Sequence, residues 1–350
     1  MRDVRQTKPD GRARSPVREG GEVHACWRRY ERAGAIPVYG EYVRARCPAS
    51  CANLGPGFDV LALAVNLYVE VEVTRAERLS VSATGEGSDL PADSSHLAAK
   101  VAMEVAGDEK LAIRVHSDIP VGRGLGSSAA LALATAAAAG SRDPLGVAAS
   151  VDGHPENAAA SMLGGLVAAT RVKGMVRAVP LALDPALRFV AVVPDHQLAT
   201  AKARQALPSE VSLSNASFNL GRMGLLVAGL ADATMLLQEA TEDRLHQDFR
   251  SPVFPVAPQL LAELLRSGAL ASCWSGAGST MLGICRAGDA DGVRSHSEAA
   301  MAAMGIPGKV LLLDADRSGL VVDEGNAGAG GSSLGAKERS GRQLFDIVGE

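Results

Sequence analysis

The residues with the clearest chemical potential form a glycine-rich segment at 120–130, PVGRGLGSSAA. Its glycines, Gly122, Gly124 and Gly126, can adopt backbone angles that are closed to other residues, and they let an anion approach the main chain. The segment runs into an alanine-rich stretch, where the first turn of a helix would offer unpaired N–H groups and the positive end of its dipole. The pattern therefore favours a phosphate ligand, although a plain strand–helix connection can contain the same glycines.

Two serines end this glycine segment. Ser127 and Ser128 could cap the helix, or could turn a hydroxyl toward a phosphate or its magnesium ion. The segment lacks the Gly-Lys-Ser/Thr ending of a Walker A loop. It also lacks the acidic residue that a Rossmann fingerprint places about 20 residues further on. The sequence therefore excludes these two common nucleotide-binding motifs.

Charged side chains elsewhere could bind small charged groups. Arg204 lies in the segment TAKAR at 200–204, and Arg250 ends the segment DRLHQDFR at 243–250. A guanidinium group can bind a carboxylate through two parallel hydrogen bonds, but each arginine could instead pair with a nearby acid at the surface. Asp59 could hold an ammonium group, or could cap a short helix that follows it.

These candidate residues stand at the ends of predicted strands and helices. Alternating apolar and polar residues predict a strand at 67–73, and a continuous apolar run predicts a buried strand at 189–194. Further strands are predicted at 42–47, 79–84, 111–117, 271–274, 280–285 and 309–314. Helices are predicted at 60–65, 96–106, 127–139, 200–206, 214–238, 257–267 and 290–304. The sequence thus indicates a mixed α/β (α+β) fold.

The composition limits the classes of protein to consider. The chain has 350 residues, of which 47% are hydrophobic and 3% aromatic, so two domains with cores of small aliphatic side chains are expected. A net charge of −4 argues against nucleic acid as a main partner. The longest apolar run, 129–139, is too short to span a bilayer, and the N-terminus lacks the apolar core of a signal peptide. None of the five cysteines forms a Cys-x-x-Cys pair, so we expect a cytoplasmic protein with buried thiols.

Three glycine-containing segments follow one another in the order PASCANLGPGFD at 48–59, the segment at 120–130, and SGAGST at 275–280. Together they resemble the three signature motifs of the GHMP small-molecule kinases. Three further segments resemble those of the homoserine kinases in that family, at 153–159, 200–204 and 243–250. The resemblance covers residues 43–322, and six segments in the same order make it highly specific.

The resemblance implies a fold, a reaction and partners. The fold would have an N-terminal ribosomal-protein-S5-like domain and a C-terminal ferredoxin-like domain, with the active site between them. The reaction would be the ATP-dependent phosphorylation of the hydroxyl of L-homoserine in threonine biosynthesis, with Mg²⁺, in a homodimer. The predicted division of the chain is a disordered extension at 1–40, an ATP-binding domain at 41–187, a C-terminal domain at 188–323 and a flexible tail at 324–350.

The resemblance also implies a set of site residues. Those for ATP would be Pro120, Gly122, Arg123, Gly124, Leu125, Gly126, Ser127, Ser128, Ala129 and Gly276. Those for the substrate would be Asn53, Asp59, His154, Asn157, Thr200, Arg204 and Arg250. Catalysis would depend on Asn157, in contact with the reacting hydroxyl, and on Arg204. His154 by itself could also be a structural residue at a helix start.

The predicted metal site departs from the family's pattern. The resemblance implies Mg²⁺ bound by Ser127 and by a glutamate ahead of the HPEN segment, but no glutamate lies between Ala130 and His154. Asp152 is the nearest replacement, and a shorter acid could bind Mg²⁺ through a water molecule. The alternative is a weakened metal site.

The amide at position 157 bears on the type of reaction. Asn157 cannot accept a proton, and positioning and charge neutralisation can supply most of the catalysis of phosphoryl transfer. We therefore expect direct attack by the oriented hydroxyl, with a carboxylate base from Glu156 as the alternative. Two other functions stay open: a GHMP kinase for another small alcohol, and a catalytically silent GHMP-fold binding protein.

Overall fold

The computed structural model of the protein describes residues 41–326. The predicted extension at 1–40 and the part of the predicted tail beyond 326 lie outside these residues. The strands are β1 (Glu41–Ala52), β2 (Leu61–Arg75), β3 (Ser80–Gly85), β4 (Leu111–Ser117), β5 (Leu166–Val172), β6 (Met175–Leu181), β7 (Leu187–Pro194), β8 (Ala271–Trp274), β9 (Met281–Arg286), β10 (Gly308–Leu313) and β11 (Val321–Asn326). The helices are α1 (Leu97–Ala106), α2 (Ser127–Ala138), α3 (Pro144–Asp152), α4 (Glu156–Leu163), α5 (Thr200–Gln205), α6 (Leu213–Ala231), α7 (Gln247–Arg250), α8 (Ala257–Arg266) and α9 (Ala290–Ala303).

The first domain is built on a seven-stranded sheet. Its main order is β11-β1-β2-β4-β3, and β5 pairs with the start of β2 and with β6. The helix predicted at 60–65 is wrong, because Leu61 begins β2 and the first five residues of that strand are all buried. A short apolar run that is covered on both faces has no period that separates a strand from a helix.

The helix that follows the glycine segment, α2, packs on this sheet against β1 and β2. Nine of its 12 residues are buried, and most of them are alanine. Alanine loses no side-chain entropy in a helix, and its small side chain lets the helix lie close to the sheet. The glycine segment is therefore held between a rigid helix and a rigid sheet.

The second domain has a four-stranded antiparallel sheet in the order β10-β7-β9-β8. Numbered along the chain within this domain, the order is 4-1-3-2, as expected for a ferredoxin-like fold. The buried side chains of Phe254, Trp274 and Met281 belong to its own hydrophobic core, to which α8 and α9 also contribute. No helix within the described part of the chain is long and apolar enough to cross a bilayer.

The last described strand differs from the predicted domain boundaries. We predicted a C-terminal domain to residue 323 and a tail from 324, but β11 pairs with β1 of the first domain, from Arg46 opposite Val321 to Glu41 opposite Asn326. The first sheet is therefore completed by a strand from the far end of the chain. No local pattern could reveal this pairing, because the partner strand lies almost 280 residues away.

Candidate functional site

A cleft between the two domains has a volume of about 480 Å³. The β1–β2 loop, the glycine segment and the start of α4 line it from one side, and α5, α7 and the turn after β8 line it from the other. Every predicted site residue lines this cleft except Ala129. Ala129 is fully buried in the first turn of α2, so its side chain lies in the core and not at the cleft surface.

The glycine segment turns its carbonyl groups away from the cleft. Four successive carbonyl oxygens, from Gly122 to Leu125, accept hydrogen bonds from the protein at 2.7 to 3.1 Å. Their donors, in order, are the N–H of Leu198, the N–H of Thr280, Oγ of Ser275 and the N–H of Ser50. In a trans peptide the N–H points opposite to the C=O, so the N–H groups that follow these carbonyls face the cleft. This geometry suits an anion such as a phosphate.

The three glycines have left-handed backbone angles, with φ of +69° at Gly122, +78° at Gly124 and +67° at Gly126. A Cβ atom on Gly124 would lie 2.2 Å from the carbonyl oxygen of Ser275, and one on Gly126 would lie 2.2 Å from Oγ of Ser50. Glycine at these two positions is thus required for packing against the other two glycine segments as well as for the backbone angles.

The start of α2 leaves its N–H groups open. Gly126 is the N-cap residue, and no side chain within residues 41–326 caps the helix, so the capping alternative for Ser127 and Ser128 is not seen. The Ser128 hydroxyl instead lies near the carboxylate of Asp152. Burial raises the pKa of Asp152, and the Ser128 hydroxyl lowers it in part.

The residues around Asp152 test whether this site fits a magnesium ion. The predicted metal residues Ser127 and Asp152 both line the cleft, together with Ser128. A hydroxyl and a carboxylate beside a phosphate-binding segment are the hard oxygen donors that Mg²⁺ takes. Asp152 is partly buried, and a cation there would offset the cost of its charge. The residues present therefore fit the metal.

A bidentate ion pair crosses the cleft between Arg204 of α5 and Asp59 of the first glycine segment. Nη1 and Nη2 of Arg204 donate to the two carboxylate oxygens of Asp59 at 3.0 and 2.6 Å. Donating these hydrogen bonds to Asp59 raises the pKa of Arg204 above its usual value. Each side chain is about one-third exposed, so a ligand can reach both. Arg204 thus pairs with an acid, as its alternative role required, but this acid lies in the cleft and 145 residues away in the sequence. Asp59 caps no helix, because β2 follows it.

Arg250 is almost completely buried at the cleft wall, with 2% of the residue exposed. Its Nη1 donates to the carbonyl oxygen of Gly276 at 2.8 Å and to Nδ1 of His246 at 3.1 Å. Nε2 of His246 in turn donates to the carbonyl oxygen of Gly55 at 2.7 Å. Burial and the positive charge of Arg204 lower the pKa of Arg250 to about 10. A guanidinium group that is buried in this way gains from an anionic ligand.

The aromatic ring of Phe58 supports both arginines. The guanidinium carbon lies 5.6 Å from the ring centroid for Arg204 and 5.5 Å for Arg250, within the range of cation–π contacts. The ring of His246 also stacks on Phe58, with 5.2 Å between the two ring centroids. The two charges are therefore held in place by a shared aromatic group.

Two other predicted residues, Asn53 and Arg123, have partners that narrow their roles. Asn53 donates from Nδ2 to the carbonyl oxygen of Gly276 at 2.9 Å and accepts from the N–H of Asp59 at 3.0 Å, so it fixes the first glycine segment. The Arg123 guanidinium donates to the carbonyl oxygen of Pro194 at 2.9 Å. The group of Arg123 that remains for an anion is therefore its backbone N–H. Thr200 is exposed at the first turn of α5, on the cleft surface.

His154 and Glu156 form an ion pair at the start of α4, with 2.5 Å between Nδ1 and Oε1. Burial disfavours the charged imidazolium, but the hydrogen bond and the negative charge of Glu156 outweigh burial and raise the pKa of His154. Glu156 is 1% exposed, and its Oε2 has no hydrogen-bond partner among the described residues. The pair places an imidazole ring and a buried carboxylate at the cleft wall beside Asn157.

Three residues that organise the site had no predicted role: Ser50, Phe58 and His246. Each lies inside a segment that the sequence singled out, so the segments were informative while the individual roles were not. Their roles depend on contacts between segments, such as Oγ of Ser50 with Oδ1 of Asn157 at 2.9 Å. Such contacts have no signal within any one segment.

Most of the sequence is similar to that of known kinases. The family models described as GHMP kinases N terminal domain and GHMP kinases C terminal match residues 93–165 and 226–302. A homoserine kinase of Corynebacterium diphtheriae is 41% identical over 71% of this chain and 87% of its own length. One from Desulfitobacterium hafniense is 34% identical over 80% of this chain and 99% of its own length.

The fold is similar to solved structures of the same kind. The crystal structure of homoserine kinase from Cytophaga hutchinsonii matches with a TM-score of 0.71 and 27% identity, over 81% of this chain and 97% of that one. Mevalonate kinase of L. major, at 14% identity and a TM-score of 0.59, shares the fold alone. The predicted two-domain fold is confirmed, and the chain belongs to the homoserine kinase family of the GHMP kinases.

Proposed function

We propose that this protein transfers the γ-phosphoryl group of ATP to the hydroxyl of L-homoserine. The observation that carries the proposal is the pair of Arg204 and Asp59, which places one cation and one anion side by side facing a phosphate-binding segment. An amino acid has a carboxylate and an ammonium group at the same close spacing. Its carboxylate would take the place of Asp59 on Arg204, and its ammonium group would take the place of Arg204 on Asp59.

Arg250 supplies a second cation for the substrate carboxylate. Its guanidinium is held rigidly by Gly276 and His246, and it keeps a buried Nε with no partner among the described residues. Because an alcohol such as mevalonate or shikimate has no ammonium group, it would leave Asp59 without a cation beside it. The site therefore favours an amino-acid alcohol over these substrates by the cost of leaving a partly buried carboxylate without the ammonium group.

The chemistry is a direct displacement. The hydroxyl oxygen of the substrate bonds to the γ-phosphorus while the bond from that phosphorus to the β–γ bridging oxygen breaks, and ADP leaves with the electron pair. Asn157 orients the hydroxyl but cannot accept its proton, which passes to an oxygen of the transferred group. Glu156 is engaged with His154, which disfavours it as the base. Ser128 and Asp152 would bind Mg²⁺, which neutralises phosphate charge when it is bound.

A coupled assay of ADP release tests the proposed reaction. We expect turnover with ATP, Mg²⁺ and L-homoserine, and much lower turnover with mevalonate, shikimate or no acceptor. Turnover with another alcohol and none with homoserine would replace the substrate. Absence of turnover with every alcohol, combined with retained ATP binding, would favour the catalytically silent alternative.

The metal site has its own test. Asp152→Ala should raise the concentration of Mg²⁺ needed for half-maximal activity by about tenfold or more, because Mg²⁺ loses a carboxylate. Asp118→Ala, which removes an exposed carboxylate outside the cleft, is the matched control. An unchanged Mg²⁺ titration for Asp152→Ala would remove this residue from the site.

The homodimer stays a prediction that sedimentation of the purified chain can check.

A further inference from the structure

Ser50 lies where three separate segments of the site meet. It belongs to the first glycine segment and is fully buried. Its N–H donates to the carbonyl oxygen of Leu125 at 3.1 Å, and its Oγ occupies the space that a Cβ atom on Gly126 would need. The same Oγ donates a hydrogen bond to Oδ1 of Asn157 at 2.9 Å. One hydroxyl therefore connects the phosphate-binding segment to the amide proposed to hold the substrate hydroxyl.

The hydrogen bond decides which end of the Asn157 amide faces the substrate. A serine hydroxyl that donates to Oδ1 occupies the acceptor end of the amide. The NH₂ group is on the other branch, and Asn157 lines the cleft. An amide that presents Nδ2 can donate to an oxygen lone pair but cannot take up a proton.

We propose that Ser50 is a positioning residue, whose hydroxyl fixes the Asn157 amide so that Nδ2 donates to the acceptor hydroxyl oxygen. This inference rests on the proposed function. One lone pair of the substrate oxygen is held by Nδ2, and the other is free to attack the γ-phosphorus. Without the Ser50 hydroxyl, the amide could rotate and present Oδ1 to the substrate. Oδ1 would accept the hydroxyl hydrogen, and the lone pairs of the substrate oxygen would then point away from the γ-phosphorus.

The test compares two buried serines. Ser50→Ala should lower kcat for homoserine by roughly tenfold or more, the effect of about one lost hydrogen bond in the transition state, with little change in the KM for ATP. Ser161→Ala is the matched control, because Ser161 is also fully buried, lies on α4 with Asn157, and has an Oγ without a partner among the described residues. It should keep the wild-type kcat. An unchanged kcat in Ser50→Ala would overturn the inference.

A double-mutant cycle separates positioning from general support of the fold. In an Asn157→Ala background, Ser50→Ala should cause no further fall in kcat, because there is no amide left to orient. An equal fall in both backgrounds would show that Ser50 acts independently of Asn157 and would overturn the proposal.

A conservative variant, Ser50→Cys, tests the same inference if Ser50→Ala folds poorly. Ser50→Cys keeps a side chain of similar shape with a weak donor, so it should fold and still lose kcat. Wild-type kcat in Ser50→Cys would contradict the inference. Absence of homoserine turnover in the wild-type protein would instead contradict the proposed function, so the two failures are distinguishable.

Discussion

The pair of Arg204 and Asp59 joins two side chains that lie 145 residues apart in the sequence. Both are about one-third exposed, so the pair adds little to the free energy of unfolding. Its value lies in preorganisation: two opposite charges are already at the spacing that an amino acid requires, and the ring of Phe58 supports the arginine. For the proposed amino-acid substrate, these single residues would thus be arranged for a zwitterion before it binds.

Arg204→Lys should raise the KM for homoserine by roughly tenfold or more, because lysine keeps the charge but cannot donate two parallel hydrogen bonds to a carboxylate. The KM for ATP should change little. Arg222→Lys is the control, since Arg222 also donates two hydrogen bonds to a carboxylate, that of Glu242, away from the cleft. Steady-state kinetics with both substrates varied provide the measurement. Equal effects of the two substitutions would contradict a binding role for Arg204.

His246 makes the stability of the protein depend on pH. Burial lowers its pKa from 6.5 to about 4, and the charge of Arg250 acts in the same direction, against the opposing effects of Asp243, Asp59 and the Gly55 carbonyl. Below pH 6.5 the His246 imidazole binds a proton in the unfolded chain but stays neutral in the folded protein. The free energy of unfolding therefore falls as the pH drops from 6.5 toward 4.

Urea denaturation should therefore show a loss of about 2 kcal/mol between about pH 7 and about pH 5 that is absent in His246→Gln. Glutamine can still donate to the carbonyl oxygen of Gly55 but does not titrate in this range. A substitution of the exposed His296 controls for the loss of a histidine. The prediction fails if wild type and His246→Gln lose the same stability over this interval.

At the scale of elements, the glycine segment is defined by what it packs against. Its carbonyl groups are held by β1, by the loop before α5 and by the turn after β8, so both domains fix its shape. The alanine-rich helix α2 then directs unpaired N–H groups at the same point. The phosphate site is consequently a property of three elements and not of the glycine motif alone.

Gly124→Ala should show this dependence on packing. A methyl group there would lie 2.2 Å from the carbonyl oxygen of Ser275, so the segment must shift away from the turn after β8. Gly107→Ala is the matched control, because Gly107 also has a positive φ, of +63°, but nothing lies within 4 Å of its Cβ position. Gly107→Ala should lower the free energy of unfolding by about 1 kcal/mol and leave the KM for ATP unchanged. Gly124→Ala should lower the free energy of unfolding by more, and should raise the KM for ATP by about tenfold or more.

Denaturation and steady-state kinetics of the two variants provide the measurement. Equal behaviour of the two variants would contradict the packing role of Gly124.

At the scale of the whole molecule, the chain returns from the second domain to complete the first sheet. Asp316 fixes this return and is 7% exposed. Its carboxylate accepts from the hydroxyl of Tyr68 at 2.9 Å and from the N–H groups of Ser318 and Gly319 at 2.9 and 2.7 Å. Burial, together with the carboxylate of Asp316, raises the pKa of Tyr68 to about 12. The return segment is thus held before β11 begins.

Asp316→Ala should lower the free energy of unfolding by about 3 kcal/mol, because three donors lose a buried charged acceptor. Asp314→Ala, two residues earlier, removes a more exposed carboxylate that pairs with Arg188 and should cost less than about 1 kcal/mol. Chemical denaturation of both variants gives the comparison. If the two variants have equal stability, Asp316 does not fix the return segment.

The segments of the site could be read from the sequence because each one has a local signal. Glycines at alternate positions, an alanine-rich helix and the order of six segments are all visible along the chain, and they were sufficient for the fold class and the family. The helix predicted at 60–65 was wrong because a fully buried apolar run has no helical or strand period. The boundaries near 323 differed because the β1–β11 pairing is entirely non-local.

Residue type fixes charge and hydrogen-bonding capacity, so the residues that could bind phosphate, carboxylate and ammonium groups can be named from the sequence. Which of these residues face one another depends on the fold. The fold pairs Arg204 with Asp59 and Asn157 with Ser50, brings Ser128 near Asp152, and buries Ala129 away from the cleft. The physical reason is that hydrogen bonds act over about 3 Å, so partners distant in the sequence are selected by packing alone.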